Sequence, residues 1–89
     1  MKFIAFWEMK PEDAGKVILK FNKRHELGLK TLYGPCHIAG QAEGFTIFEA
    51  DDPAVLVNYS NYYTPELTMT IFPIHDSKEV AENWVKHHK

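Results

Sequence analysis

Two carboxylates close apolar runs in which a proton-transfer group would have chemistry to do: Glu8 in MKFIAFWEMK and Glu49 in GFTIFEADD. Along an extended strand, alternation puts Lys2, Ile4, Phe6 and Glu8 on one side and Phe3, Ala5, Trp7 and Met9 on the other. The same period groups Phe45 with Ile47 and Glu49, and Thr68 with Thr70 and Phe72. Facing one another, these sets make an apolar wall dotted with polar groups, the usual make-up of a small-molecule site. A carboxyl enclosed there is biased toward its neutral form and can serve as an acid or base. The structural alternatives are a cross-strand pair with Lys2 for Glu49 and exposure at a strand end for Glu8.

Cys36 and His37 pair a thiol with an imidazole, but adjacent strand residues point to opposite faces, which suits a metal ion poorly. The reading for Cys36 is a buried, inert thiol; His37 is a cavity or edge residue whose face depends on register. Tyr33, beside Gly34-Pro35, is the aromatic least explained by packing. Tyr59, Tyr62 and Tyr63 follow the helical period, as do Val80 and Trp84, so these rings read as core. His25 reads as a core or boundary residue of a first helix. His87 and His88 fall at the negative end of a last helix, and His75 has no assigned role. The candidate ligand-binding set is therefore Phe6, Glu8, Tyr33, His37, Ile47, Glu49, Thr68 and Thr70, with Glu8, Glu49 and His37 the candidates for catalysis. The histidine spacing matches neither a helical His pair nor a Cys-His zinc module, so no metal is expected; with neither a Gly-rich phosphate loop nor a nucleophile elbow present, no cofactor is implied.

The elements that must position these residues are legible in order. Lys2 to Met9 is a strand, and Pro11, Glu12 and Asp13 open an amphipathic helix of about four turns carrying Ala14, Val17, Ile18 and Phe21, until Gly28 stops it. Lys30 to Ala39 is a second strand, marked as an edge or bulge by Gly34-Pro35, and Phe45 to Ala50 returns from it as a hairpin. Asp52-Pro53 caps a second helix that ends at Thr64-Pro65. Glu66 to Ile74 is the fourth strand, and Asp76 or Ser77 caps a closing helix with Val80, Ala81, Trp84 and Val85 as its stripe.

Two βαβ halves joined by a hairpin predict an α+β, ferredoxin-like fold: βαββαβ, a four-stranded antiparallel sheet of order 4-1-3-2, and a C-terminal helix, as one domain over residues 1–89. Right-handed crossovers place both internal helices on one face. Strands one, three and four are apolar on both sides, so the second face needs a cover. A closing helix of about three turns covers only part of it. A second copy of the sheet covers all of it, which predicts a homodimer packed through the sheet faces, a dimeric α/β barrel.

Charge placement narrows the partners. Among 89 residues, 10 Lys and Arg nearly balance 12 Asp and Glu, yet no Lys or Arg occurs between Lys30 and Lys78 while six acids do. A phosphate backbone needs clustered cations, so no nucleic acid is expected, and a neutral or apolar guest is. Without an apolar run long enough to span a bilayer, no membrane partner is expected either. One cysteine allows no internal disulfide, and Glu8 breaks the N-terminal apolar run before it could act as a signal peptide; the expected location is cytoplasmic.

At GFTIFEADDPAVL, Gly44 to Leu56, the chain resembles the strand-to-helix junction of small dimeric α/β-barrel proteins, in particular an uncharacterised domain-of-unknown-function family close to the GYD type. FPIHDSKEVAENW, Phe72 to Trp84, is similar to that family's last strand and C-terminal helix, and KFIAFWEMKPED to its first strand. The superfamily includes cofactor-free monooxygenases, haem-degrading enzymes, isomerases and ligand sensors, so the resemblance implies a fold and a cavity rather than a reaction. Three readings compete. One is a dimer binding a small neutral or apolar ligand between its sheets. Another is a cofactor-independent monooxygenase or isomerase using Glu8 or Glu49 as base, with His37 or Tyr33 positioning substrate. The third is a structural or interaction protein whose barrel is filled by Phe6, Phe45, Ile47 and Phe72.

Overall fold

A computed structural model describes residues 1–24 and 27–88. Strand β1, Lys2–Met9, lies inside an antiparallel sheet of order β2-β3-β1-β4, formed with β2 (Lys30–His37), β3 (Glu43–Glu49) and β4 (Leu67–Ile74). This is the expected 4-1-3-2 order read from the other edge, and the fold is the α+β, ferredoxin-like one. A 3-10 turn at Pro11–Asp13 leads into α1, Ala14–Asn22; α2 is Pro53–Tyr63 and α3 is Ser77–His87.

Local chemistry sets the element ends. The Asp52 side chain accepts the amide hydrogen of Ala54, with Pro53 in the first turn of α2, and Asp76 accepts that of Lys78 to start α3. Helix α1 is shorter than expected, ending at Asn22 rather than running on to Gly28. The apolar repeat stops at Phe21, and the Arg24 guanidinium donates to the Phe21 carbonyl at 2.8 Å, closing that end. His25, expected on this helix, lies outside the described residues. In β2 the pairing with β3 slips between Thr31 and Tyr33 and again between Tyr33 and Cys36. Gly34 takes a positive φ of 93° there, in keeping with the irregularity that Gly34-Pro35 signals.

The covered face of the sheet supplies the core. Ala5, Trp7, Thr46 and Phe48 are buried under α1 and α2, with Val17, Tyr59, Tyr63 and Leu67 completing the cluster. Phe48 sits at its centre, with its ring 5.2 Å from Tyr59 and 5.6 Å from Phe3. Burying a side chain of this size stabilises the fold by roughly 2 to 3 kcal/mol. Gly44 lets two strands and an indole meet: a Cβ there would stand 2.0 Å from the Cys36 carbonyl oxygen and 2.6 Å from the Trp7 ring. Between helices and sheet, the Lys20 ammonium donates to Glu66 at 2.7 Å, tying α1 to the start of β4, and the Tyr62 hydroxyl donates to the Lys20 carbonyl.

Among the described residues no helix covers the other face, and α3 does not supply one. Every described residue of α3 is exposed, including Val80, Trp84 and Val85 on its apolar stripe. Trp84 stacks only on His88, one turn along its own helix. The chain extends 53 Å with a radius of gyration of 15.5 Å. A compact chain of this length would have about 12 Å, so α3 projects from the end of β4.

Candidate functional site

Seven of the eight residues expected to bind ligand share the open face. The register pairs Ile4 with Ile47 and Phe72, Phe6 with Phe45 and Thr70, and Glu8 with Glu43 and Thr68. Tyr33 meets Ile47 in register and stacks on Phe45 at 6.1 Å, while Phe6 and Phe72 meet edge to face at 6.3 Å. Glu49 stands in register between Lys2 and Lys30, the cross-strand neighbour expected plus a second one, without closing an ion pair with either. Glu8 is exposed at the opposite end of the strand, where a shallow cavity of about 330 Å³ is lined by Phe6, Glu8, Glu43, Thr68 and Thr70. The two candidate carboxylates therefore lie at opposite ends of the sheet and share no site.

His37 falls on the other face. It pairs with Gly44 and packs edge-on against Trp7, ring centres 4.9 Å apart, whereas Cys36 pairs with Phe45 on the open face. The two neighbours point apart, as strand alternation requires. Cys36 is half-buried rather than fully buried, because β2 is an edge strand with no neighbour beyond it. Among the described residues, no group of three or more His, Cys, Asp or Glu side chains is placed to hold a metal ion.

The larger cavity lies on the covered face, around His37. It is a cleft of about 780 Å³ between the sheet, α1, α2 and the start of β2. Helix α1 contributes Val17, Ile18 and Phe21, the sheet contributes Trp7, Thr46 and Leu67, and α2 contributes Tyr59 and Tyr63. Thr31, Gly34, Pro35 and His37 form the β2 side. The wall is mainly apolar, with a small polar set at its base. The Trp7 indole donates to the Thr46 hydroxyl at 3.3 Å, and Thr46 in turn meets the Tyr59 hydroxyl. Tyr59 and Tyr63, four residues apart and so on one helix face, pack ring against ring at 6.0 Å. Burial raises the pKa of both phenols, that of Tyr63 to about 12 with help from the neighbouring phenols Tyr59 and Tyr62. Both stay protonated donors across the physiological range. Arg24 reaches the cleft with its guanidinium 3.9 Å above the Phe21 ring.

Sequence reasoning assigned Tyr59 and Tyr63 to packing, which the burial bears out, but did not see that they also line a cavity. The one available signal was that two phenols on a core-facing stripe bring hydroxyls that need partners.

A four-stranded antiparallel sheet with two helices on one face and a cleft beneath them defines an α+β, ferredoxin-like domain. The chain belongs to the family described as Domain of unknown function (DUF3303), whose model matches residues 1–88. No curated protein and no solved structure matches it.

Proposed function

We propose that the chain works as a homodimer that holds a small, mostly apolar and uncharged molecule, with the open sheet face joining two copies and the cleft beneath the helices receiving the guest. The observation that carries the ligand half is the cleft: about 780 Å³ with an apolar wall and a few convergent polar groups, within the size range of small-molecule sites. This moves the guest from the space between the sheets to the helix side. Among the described lining residues only Arg24 and His37 can carry charge, and Arg24 is already engaged by the carbonyl and ring of Phe21.

The dimer half rests on unfinished apolar surface. Phe6, Tyr33 and Phe72 are about half exposed, leaving on the order of 100 Å² each, beside half-buried Ile4, Phe45, Ile47 and Ile74. The sheet alone offers a few hundred Å², short of the roughly 800 Å² per partner in a stable interface; the Val80, Trp84 and Val85 stripe of α3 supplies much of the remainder. No described helix is long and apolar enough to cross a membrane.

Native mass spectrometry of the purified protein tests the ligand half. The expected result is a dimer carrying a small neutral adduct, whose removal alters Trp7 emission in a Trp84→Phe background. A polyanion as the tightly held guest would contradict it.

A second reading, a cofactor-independent enzyme, draws support from one feature. Glu8 and Glu43 are register partners over the smaller cavity, so a second copy closing over them would enclose two like charges beside a space for substrate. Either carboxyl would be within reach to act as acid or base. Glu49 and His37 join neither residue. In this reading Glu8→Gln strengthens self-association at neutral pH severalfold; an unchanged dimer constant argues against an enclosed carboxyl pair.

A further inference from the structure

The polar set at the base of the cleft leaves hydroxyl protons without a protein acceptor. Trp7 spends its N–H on Thr46, and the Thr46 hydroxyl lies near that of Tyr59. Two hydroxyls can make at most one hydrogen bond to each other, so at least one of their protons finds no acceptor within the pair. The Tyr63 hydroxyl makes no hydrogen bond with any described residue. Yet among the described residues no fully buried side-chain oxygen or nitrogen lacks a partner. The Tyr63 hydroxyl must therefore keep some accessible surface, and the residue, otherwise buried, lines the cleft. Water meets that O–H in the empty cleft, so a guest that displaces the water is favoured when it brings an acceptor oxygen and penalised when it brings none.

We propose that Tyr63 and the Tyr59–Thr46 pair are a neutral donor site for one acceptor oxygen, and that the guest is an uncharged carbonyl compound with an apolar, ring-sized body. The body packs on Trp7, Val17 and Phe21, and the carbonyl oxygen accepts from the phenols. This rests on the reading of the cleft as a ligand site and adds the functional group that it selects. A carboxylate would be drawn instead toward Arg24, on a different part of the wall. Tyr63 is then the residue that sets specificity, and its ring alone serves the fold.

Three naphthalenes of similar size separate these choices: 2-acetylnaphthalene with a carbonyl, 2-ethylnaphthalene without one, and 2-naphthoate with a charge. Binding is read through Trp7 emission in full-length Trp84→Phe protein. The ketone should bind about tenfold more tightly than the hydrocarbon, in line with one hydrogen bond to an otherwise unpaired donor. Tyr63→Phe should shrink that ratio to within about threefold while leaving the hydrocarbon's affinity and the thermal midpoint unchanged. The carbonyl stretch of the bound ketone should lie lower in the parent than in Tyr63→Phe, a shift that a purely structural tyrosine would not produce. Equal binding of ketone and hydrocarbon, or a ratio that survives Tyr63→Phe, overturns the donor site and leaves the cleft standing. Naphthoate binding most tightly overturns it in favour of Arg24. No binding by any of the three removes the cleft reading along with it.

Discussion

One residue along the same strand separates two different fates. Ala5 and Phe48, on the covered face, lose all contact with solvent, while Phe6 and Phe72, on the open face, keep 46% and 49% of theirs. Both faces are apolar and both follow the same alternation, so composition does not distinguish them. The distinction comes from the right-handed βαβ crossovers, which deliver α1 and α2 to one side only. Stability and the cleft belong to the covered face, which a single chain completes. The open face and the stripe of α3 are surfaces that a single chain leaves exposed, and the open face holds Phe6, Phe45 and Phe72 while Phe3, Phe21 and Phe48 serve the covered one.

The contrast is broken most directly at the core. Phe48→Ala should cost about 3 to 5 kcal/mol, enough to unfold much of a chain this small, with a loss independent of protein concentration in chemical denaturation. Gly44→Ala should cost about 3 kcal/mol, because its Cβ would collide with the backbone of β2 and with the Trp7 ring. Gly15→Ala, whose Cβ meets nothing within 4 Å in α1, should instead stabilise by roughly 0.5 kcal/mol, which separates steric collision from a general effect of replacing glycine.

The fold was legible because its signals are local. Asp52-Pro53, Asp76 and the alternation of Lys2 to Met9 each fix an element without reference to the rest of the chain. The co-facial grouping of Phe6, Ile47, Thr70 and their neighbours followed from the same alternation, since a period of two leaves no freedom once the strands pair. His37 could not be placed, because two register slips around Gly34-Pro35 decide its face, and those depend on contacts with β3 that no local pattern encodes. The cleft was hidden for a related reason. Tyr59 and Tyr63 carry the helical period of core residues, and whether a core-facing ring also borders empty space depends on how far α1 stands from the sheet.

Smaller effects refine the covered face through its titrating groups. The phenols of Tyr59 and Tyr63 have folded-state values raised above the ordinary 10.0. Their contribution is complete below pH 10 and fades as pH rises toward the Tyr63 value of about 12. Phenolate absorbance should show Tyr63 titrating late, together with loss of structure; four phenols titrating together near 10 would contradict its burial. The smallest effect concerns Glu66, held below its ordinary 4.5 by the hydrogen bond from Lys20. That contribution is present above 4.5 and is lost as pH falls through the depressed folded value. Lys20→Met should flatten the acid limb of the stability profile while changing stability little elsewhere, since the pair remains partly in contact with water.

Sedimentation velocity across a micromolar concentration series, comparing the parent with Phe6→Asp, tests most directly whether the two faces do separate work. The parent should sediment at twice the chain mass, and the variant at the chain mass with its near-ultraviolet dichroism retained, because Phe6 lies outside the core cluster. A parent that stays monomeric throughout, or a variant that dimerises as tightly as the parent, would contradict the assignment of the open face to a second copy.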